Sequence, residues 1–293
     1  MFEKDFYYEV EKPNALKYIL YGDTDSIFIA IPDPKIKEKT AEQKWETAEK
    51  SAGEINKLII DYTKEKILKR CNINPEHNRT FFDTELLMES IMFLDIKKNY
   101  AYNLLVKEGK VLDPPKTNYK GIPVIKSDAA KMTQQLLREM IENVILNNKI
   151  EDKDKMKSIL EIVNKYHQKF QKDVSKYNFS DIGVPAKWSK DELSINGMKI
   201  YNKILNEDVF TFGSAGKFIY TKFQSLNEFK DLGINTKNIN GICVPYEYNP
   251  EKLKEKLNQY GITIDGHRQW NDKIFIKICQ RVADLAKTIS RSS

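Results

Sequence analysis

Tyr21-Gly22-Asp23-Thr24-Asp25-Ser26, YGDTDS, stands between Leu16-Lys17-Tyr18-Ile19-Leu20 and Ile27-Phe28-Ile29-Ala30-Ile31. The flanking runs are short, rich in β-branched and aromatic residues, and bounded by Gly22 and Pro32, which is how two strands joined by a tight turn are written. Leu16–Tyr21 and Ile27–Ile31 therefore read as a β-hairpin with two carboxylates at its turn. Residues two apart on an extended chain share a face, and a tight turn brings both acids towards one point. Hard divalent cations take oxygen ligands, and magnesium commonly binds one or two protein carboxylates and completes its shell with phosphate and water. Two such ions about 3.5–4 Å apart activate an attacking oxygen and stabilise a leaving one. Gly22 leaves room for a substrate or backbone to come close. The plainer alternative is an Asx-type turn, in which Asp and Ser bond only local amides. Spacing alone leaves both readings open.

Beyond the hairpin, Ala41 to about Leu68 reads as a long helix. Trp45, Ala48, Ala52, Ile55, Ile59 and Tyr62 fall on one face, with charges on the other. From Arg79 to Ile125 the rhythm is that of three strands, with Glu108-Gly109 as a turn. After Ser127, a candidate N-cap, two stripes predict a helical hairpin over residues 128–174. One is Met132, Leu136, Met140 and Val144; the other is Met156, Leu160, Val163, His167, Phe170 and Val174. Then come a Gly/Pro-punctuated loop at IGVPAKW, a helix near Asn196–Leu205, and strands at KFIYTKF and GICVPYEY. A last helix runs from about Trp270 to Ile289. The expected division is an α/β piece over 1–122 and a helix-rich piece over 123–293.

Charge follows the same division. The 293 residues carry a net +6, but residues 1–122 hold 20 Lys+Arg against 21 Asp+Glu, whereas the remainder holds 28 against 21. A basic second piece suits a polyanionic partner, although a solvated lysine-rich surface would look the same. Cys71, Cys243 and Cys279 stand far apart, as do His77, His167 and His267, so neither a disulfide framework nor a zinc site is legible. No signal-peptide pattern and no apolar run of about 18 residues is present. The expectation is a soluble intracellular protein with no membrane contact.

The hexapeptide resembles motif C of the family B (α-like) DNA polymerases, Y-x-D-T-D-S on a palm-domain hairpin. Other stretches are similar to the T-even-phage type of that family. Asp83-Thr84-Glu85 lies where those enzymes carry a further acidic pair near the metals. Lys97-Lys98-Asn99-Tyr100 is similar to the K-K-x-Y segment on the minor-groove side of the primer–template. Lys120-Gly121 and the helix after it resemble the palm-to-thumb junction. Gly197-Met198-Lys199-Ile200-Tyr201-Asn202 and Gly216-Lys217-Phe218-Ile219-Tyr220 resemble thumb segments. The resemblance implies an α+β fold: a partial palm, an antiparallel sheet with a helix, over 1–122, followed by a helix-rich thumb domain over 123–293.

The resemblance also implies roles. Asp25 corresponds to the ligand of both Mg2+ ions, and Asp23 to a neighbour that tunes charge or holds an outer-sphere water. Asp83 and Glu85 are further metal candidates, each readable as an acid on an exposed strand. Tyr21, Thr24 and Ser26 fall at the nucleotide-binding edge. Lys97 and Lys98 would face minor-groove acceptors that every base pair offers, and Tyr100 would stack on sugar or position the primer end. Lys187, Lys199 and Lys217, each close to a Gly or Pro, are candidates for phosphate contacts. Partners would be primer–template DNA and dNTP, in the cytoplasm of a phage-infected bacterial host cell.

The chain departs from the family pattern in what it lacks. Neither motif A (D-x-x-S-L-Y-P) nor the fingers helix (K-x-x-x-N-S-x-Y-G) nor the acidic motifs of a 3′–5′ exonuclease can be found. The expectation is a C-terminal portion of a split or truncated polymerase, active only with an N-terminal portion that supplies exonuclease, motif A and fingers. The end of the chain, LAKTISRSS, has no hydrophobic-aromatic tail for a sliding clamp, which puts clamp binding in doubt. Two rivals are a non-catalytic DNA-binding scaffold subunit and a palm-fold nucleotidyl cyclase; KKNY and the basic second piece argue against the cyclase.

Overall fold

The structure is a computed structural model that describes residues 19–22, 26–31, 33–79, 81–94, 98–122, 129–189, 191–234 and 239–279. The chain divides into two compact units, Met1–Glu89 with Asn103–Lys116, and Ser90–Tyr102 with Thr117–Ser293.

In the first unit, β1 (Ile19–Gly22) and β2 (Ile27–Ile29) form a two-stranded antiparallel sheet, with Tyr21 opposite Phe28 and Gly22 opposite Ile27. The expected hairpin is present. Helix α1 (Ala41–Tyr62) starts where its sequence says it should. The Thr40 hydroxyl accepts from the Gln43 N–H, and the Gln43 side chain accepts from the Thr40 N–H, a reciprocal capping box. A wider π-helical turn, Thr63–Leu68, continues it. Trp45 and Ala48, with Ile31 and Ala41, pack on the buried Leu87, Leu105 and Val106. No residue of α1 is fully buried, so its apolar stripe is only half covered.

Asn56 fastens α1 to the chain ahead of the next strand. Its amide oxygen accepts from the Phe82 N–H at 2.6 Å, and its amide nitrogen donates to the Phe82 carbonyl at 2.5 Å. Asn56→Ala leaves both peptide groups unpaired in a part-buried site. The expected loss is about 1–3 kcal/mol, read as a lower urea midpoint at unchanged m-value.

Strands β3 (Leu86–Phe93), β4 (Tyr100–Lys107) and β5 (Lys110–Lys120) form one sheet in the order β3-β4-β5. Glu108 and Gly109 between β4 and β5 both have positive φ, 48° and 76°. That is the pair of left-handed residues a two-residue hairpin turn requires.

In the second unit, α2 (Lys131–Met140, continued by a π-type turn to Ile145) and α3 (Asp152–Lys172) are the expected pair of helices. Met132, Leu136, Met140 and Val144 are all buried, as their spacing predicts. The α3 stripe needs a correction. Leu160 is 55% exposed and Ile159 takes the core position at 1%. Adjacent Ile and Leu gave the periodicity two equivalent choices about 100° apart on the helix. The expected N-cap Ser127 lies outside the described residues.

After α4 (Phe179–Ile182) come β6 (Val184–Lys187), α5 (Glu192–Leu205), β7 (Ala215–Phe223), β8 (Gly241–Val244), α6 (Pro250–Gln259), β9 (Ile262–Ile264) and α7 (Gly266–Gln269). A π-type turn, Trp270–Phe275, carries α7 on to residue 279. The stretch expected as a loop, IGVPAKW, contains strand β6. The last expected helix is present through 279, and its remainder lies outside the described residues.

Strand β7 is the centre of a four-stranded antiparallel sheet: β6, β8 and β9 all pair with it. Successive residues of a strand turn their N–H and C=O to opposite edges. The Thr221 N–H donates to Asn240 O beside β8, so the Tyr220 peptide groups face the other edge, where β6 and β9 lie end to end. The gap between those two strands is closed by one side chain. Gln269, fully buried, accepts from the Tyr220 N–H at 3.0 Å and donates to the Ile182 carbonyl, while the Asp265 N–H donates to Tyr220 O.

Candidate active site and nucleic-acid interface

The paired strands β1 and β2 make the segment 23–26 their connection. Among the described residues nothing lies within 4 Å of where a Cβ on Gly22 would stand, and the Tyr21 ring lies 5.5 Å from that of Phe28 across the pair. Ser26 is half-buried at the foot of β2. Asp23, Thr24 and Asp25 lie outside the described residues. Asp83 and Glu85 are both exposed on the extended stretch that leads into β3. The Asp83 carboxylate accepts from the Thr84 N–H at 3.0 Å, and the Glu85 backbone carbonyl accepts from the Glu108 N–H at 2.8 Å. Among the described residues no group of three or more His, Cys, Asp or Glu side chains is gathered as a cation cage.

A second predicted cluster lies in the second unit, at the turn between β3 and β4. Lys97 is outside the described residues. Lys98 is exposed and sits at φ 62°, a left-handed conformation uncommon for a lysine. The Leu94 N–H donates to Asn99 O and closes the turn. Gly121 lies directly against it: a Cβ there would come within 2.4 Å of the Lys98 carbonyl oxygen and 2.7 Å of the Asn99 side-chain oxygen. Any other residue at 121 would push the turn aside, and φ +67° at the same position independently favours glycine. The Lys120-Gly121 junction thus holds the Lys98-Asn99-Tyr100 segment in place. The Tyr100 ring is flanked by Phe93 at 5.9 Å and Tyr102 at 6.0 Å, which leaves it half-buried beside the exposed lysine.

Of the three other predicted lysines, Lys187 is exposed at the end of β6 and Lys199 is half-buried on α5. Lys217 is a correction. It is 8% exposed, and its ammonium donates to the Ser180 carbonyl at 2.6 Å. Burial and the neighbouring Lys131 push its pKa down, against the opposing influence of Asp181. A cation enclosed in this way ties β7 to α4 and is not presented to a phosphate. The glycines beside Lys199 and Lys217 are corrected as well. A Cβ on Gly197 would meet the Cys243 N at 2.9 Å, and one on Gly216 the Val244 O at 2.6 Å. Both glycines let this protein's own elements pack closely, so their place beside the two lysines is no mark of a phosphate contact.

Comparison with known proteins bears directly on this arrangement. The family model described as DNA polymerase family B matches residues 2–240. The chain belongs to DNA polymerase family B. Residues from the hairpin through the Lys98 turn and most of the second unit all fall inside the match. The chain is 30% identical over 142 residues to the DNA-directed DNA polymerase of Escherichia phage RB69, covering 44% of this chain and 15% of that polymerase. Among solved structures, the family B DNA polymerase from the hyperthermophilic archaeon Pyrobaculum calidifontis aligns over 89% of this chain and 27% of its own length. Its TM-score is 0.49 at 10% identity. The chain therefore spans a minor share of the length of both relatives. No helix among the described residues is long and apolar enough to cross a membrane.

Proposed function

We propose that this chain is the palm-hairpin and thumb portion of a template-directed DNA polymerase, working on primer–template DNA and dNTP with a second portion that supplies motif A, fingers and exonuclease. The observation that carries the reading is the β1–β2 pairing, Gly22 opposite Ile27, which makes YGDTDS a strand-connecting segment inside a chain of family B. The RB69 relative supports the setting of a phage-infected bacterial cytoplasm.

The donor set fits magnesium. Asp25 would hold two ions, with Asp23 tuning the charge or holding an outer-sphere water and Asp83 and Glu85 as further oxygen donors, since hard cations take carboxylates and leave sites for phosphate. Bound there, the ions would supply charge stabilisation for an in-line phosphoryl displacement. The remaining work belongs to the chain's own residues. Tyr21, Thr24 and Ser26 border the site on the nucleotide side. Lys97 and Lys98, beside Tyr100, meet acceptors in the minor groove that are common to all base pairs, which suits a check of pair shape without sequence preference. Lys187 and Lys199 are retained as phosphate contacts, and Lys217 is not.

A missing partner surface also has support in the first unit. Ile19, Leu20, Ile27 and Ile29, the aliphatic residues of the two strands, are all exposed, Ile19 at 47%, while Tyr21 and Phe28 are half-buried. Four exposed aliphatics on one two-stranded sheet are the kind of patch that a protein partner covers.

The test is primer extension. The purified chain with primer–template, dNTPs and magnesium is expected to give no extended product. Extension should appear when a polypeptide bearing exonuclease, motif A and fingers of a family B polymerase is added. Robust extension by the chain alone would refute the two-portion reading.

A further inference from the structure

Helix α2 is tied to its surroundings by two phenols. Glu139 accepts from the Tyr166 hydroxyl of α3 at 2.7 Å, and Glu142 accepts from the Tyr119 hydroxyl of β5 at 2.5 Å. The first bond joins two packed helices. The second leaves the helices for the sheet that carries the Lys98 turn. It has a companion one helical turn further on, where the Ser90 hydroxyl of β3 donates to the Leu146 carbonyl at 2.9 Å. Residues four apart share a helix face, so β3 and β5 are both fastened to one spot at the end of α2. Strand β4, which opens with Tyr100, lies between them. Just beyond Tyr119, Gly121 rests against the Lys98 carbonyl and the Asn99 side chain. Met92, Leu94, Ala101 and Ile122 share one core with Met132, Leu136, Met140 and Ile141 of α2. All of these residues belong to the second unit.

Helix stability alone does not account for Glu142. A carboxylate in the last turn of a helix meets the negative end of the macrodipole, which disfavours it. Arg138, four residues earlier, is the partner that a solvated helix face would give it, yet the half-buried carboxylate closes on the phenol instead. Filling space does not account for Tyr119 either, since phenylalanine would take almost the same volume. Burial and the facing carboxylate push the Tyr119 pKa up, so at neutral pH the hydroxyl keeps its proton and donates it to the bond. Hydrogen bonds to an ionised acceptor are roughly twice as strong as neutral ones, and they impose a direction that apolar contact does not. What that direction fixes is the end of β5 against α2, and with it the placing of Gly121 against Lys98 and Asn99.

We infer that Tyr119 and Glu142 are positioning residues for the primer end: their hydrogen bond, seconded by that of Ser90, holds the Lys98–Tyr100 turn in register with it. The inference rests on the polymerase reading, which brings the turn to the primer end but assigns nothing to Ser90, Tyr119 or Glu142. The pair does not touch the reacting atoms; it acts through Gly121 and the turn. A shift of the turn misplaces the primer 3′ hydroxyl, and rates fall steeply when a reacting group is misplaced. Overall affinity for the duplex comes from phosphate contacts and is left as it is.

The experiment is single-turnover primer extension by the full chain mixed with a polypeptide bearing exonuclease, motif A and fingers of a family B polymerase. Primer–template affinity is measured on the same mixture. Tyr119→Phe and Glu142→Leu each remove the bond, whereas Glu142→Gln keeps an acceptor oxygen. Tyr166→Phe removes the other phenol–carboxylate bond of α2 and serves as the control. Amide hydrogen exchange of Leu94, Lys98, Asn99 and Tyr100 in the unmixed chain reads the turn itself. Tyr119→Phe and Glu142→Leu are expected to slow extension about tenfold and to speed exchange at those amides. Affinity should stay within about twofold of wild type, as should the extension rates of Glu142→Gln and Tyr166→Phe. Combining Tyr119→Phe with Glu142→Leu should cost no more than either alone, because one bond is lost only once. An equal slowing by Tyr166→Phe would make the effect one of general stability and overturn the assignment. Matching losses of rate and affinity would overturn it too, and so would an unchanged rate, whether or not exchange is faster. In each of those cases wild type still extends primers and the polymerase reading stands. A wild-type mixture that extends nothing sinks that reading and the positioning role with it.

Discussion

Gln269→Leu is expected to destabilise the second unit by about 2–6 kcal/mol, taking 1–3 kcal/mol for each buried peptide group left without a partner. The substitution keeps the side-chain volume and removes both ends of the amide. The Tyr220 N–H then loses its acceptor and the Ile182 carbonyl loses its donor, at a position with no access to water. In the native fold the amide stands where the β6–β7 ladder would otherwise have continued. Val184 lies opposite Phe218, so Ile182 falls opposite Tyr220, and Gln269 bridges the space between them. It does so from helix α7, so the same residue fixes that helix to the sheet. Aromatic–cation contacts gather there too, with the Arg268 guanidinium 4.3 Å from the Tyr220 ring centre and the Lys273 ammonium 5.1 Å from it. Since whole domains are stable by only about 5–15 kcal/mol, the variant should unfold at a clearly lower urea midpoint or be recovered largely insoluble. Gln259→Leu, on the exposed side of α6, should stay within about 0.5 kcal/mol of wild type. An unchanged midpoint for Gln269→Leu would mean that the two peptide groups find other partners and that the bridge is dispensable.

Gln269 could not have been picked out from the sequence, and the reason is physical. Its two partners lie 49 and 87 residues away, so no local pattern refers to them. Features written in short-range spacing were legible. The β1–β2 hairpin follows from β-branched runs around a Gly, α1 from its apolar stripe, and the β4–β5 turn from Glu108-Gly109. Strand β6 was missed because Val184-Pro185-Ala186-Lys187 is short and contains a proline, which the β6 position tolerates only because it pairs on one side, with β7. Helix α6 offers just Leu253 and Leu257 to the core amid charged residues, although Asn249 and Pro250 do spell an N-cap and a first-turn proline. The site divides in the same way. Motif residues and their order were readable. Which lysines face water was not, since burial of Lys217 is decided by the placing of α4 and β7 together.

Asp25→Asn is expected to remove at least about 10²–10³ of the extension rate when the chain is mixed with a polypeptide bearing motif A, fingers and exonuclease of a family B polymerase, taking the loss of one preorganised charge-stabilising contact as the guide. That corresponds to roughly 2.7–4 kcal/mol of barrier at 1.36 kcal/mol per tenfold. Asparagine is chosen because it separates the two readings that the sequence leaves open. It has the size of aspartate and makes Asx-type turn bonds as well, so a residue that merely capped local amides would tolerate the change. A residue that holds magnesium would not, because the amide carries no charge and hard cations prefer the carboxylate. Affinity for duplex DNA should stay equal or rise slightly, since a negative charge near phosphates has been removed. The same substitution at Asp23, assigned to charge tuning or an outer-sphere water, should cost about tenfold or less. A non-catalytic scaffold predicts indifference to both substitutions, whereas the polymerase reading requires the larger loss at Asp25 and a split between rate and affinity. If Asp25→Asn extended primers at the wild-type rate in the complemented reaction, YGDTDS would be a turn and nothing more.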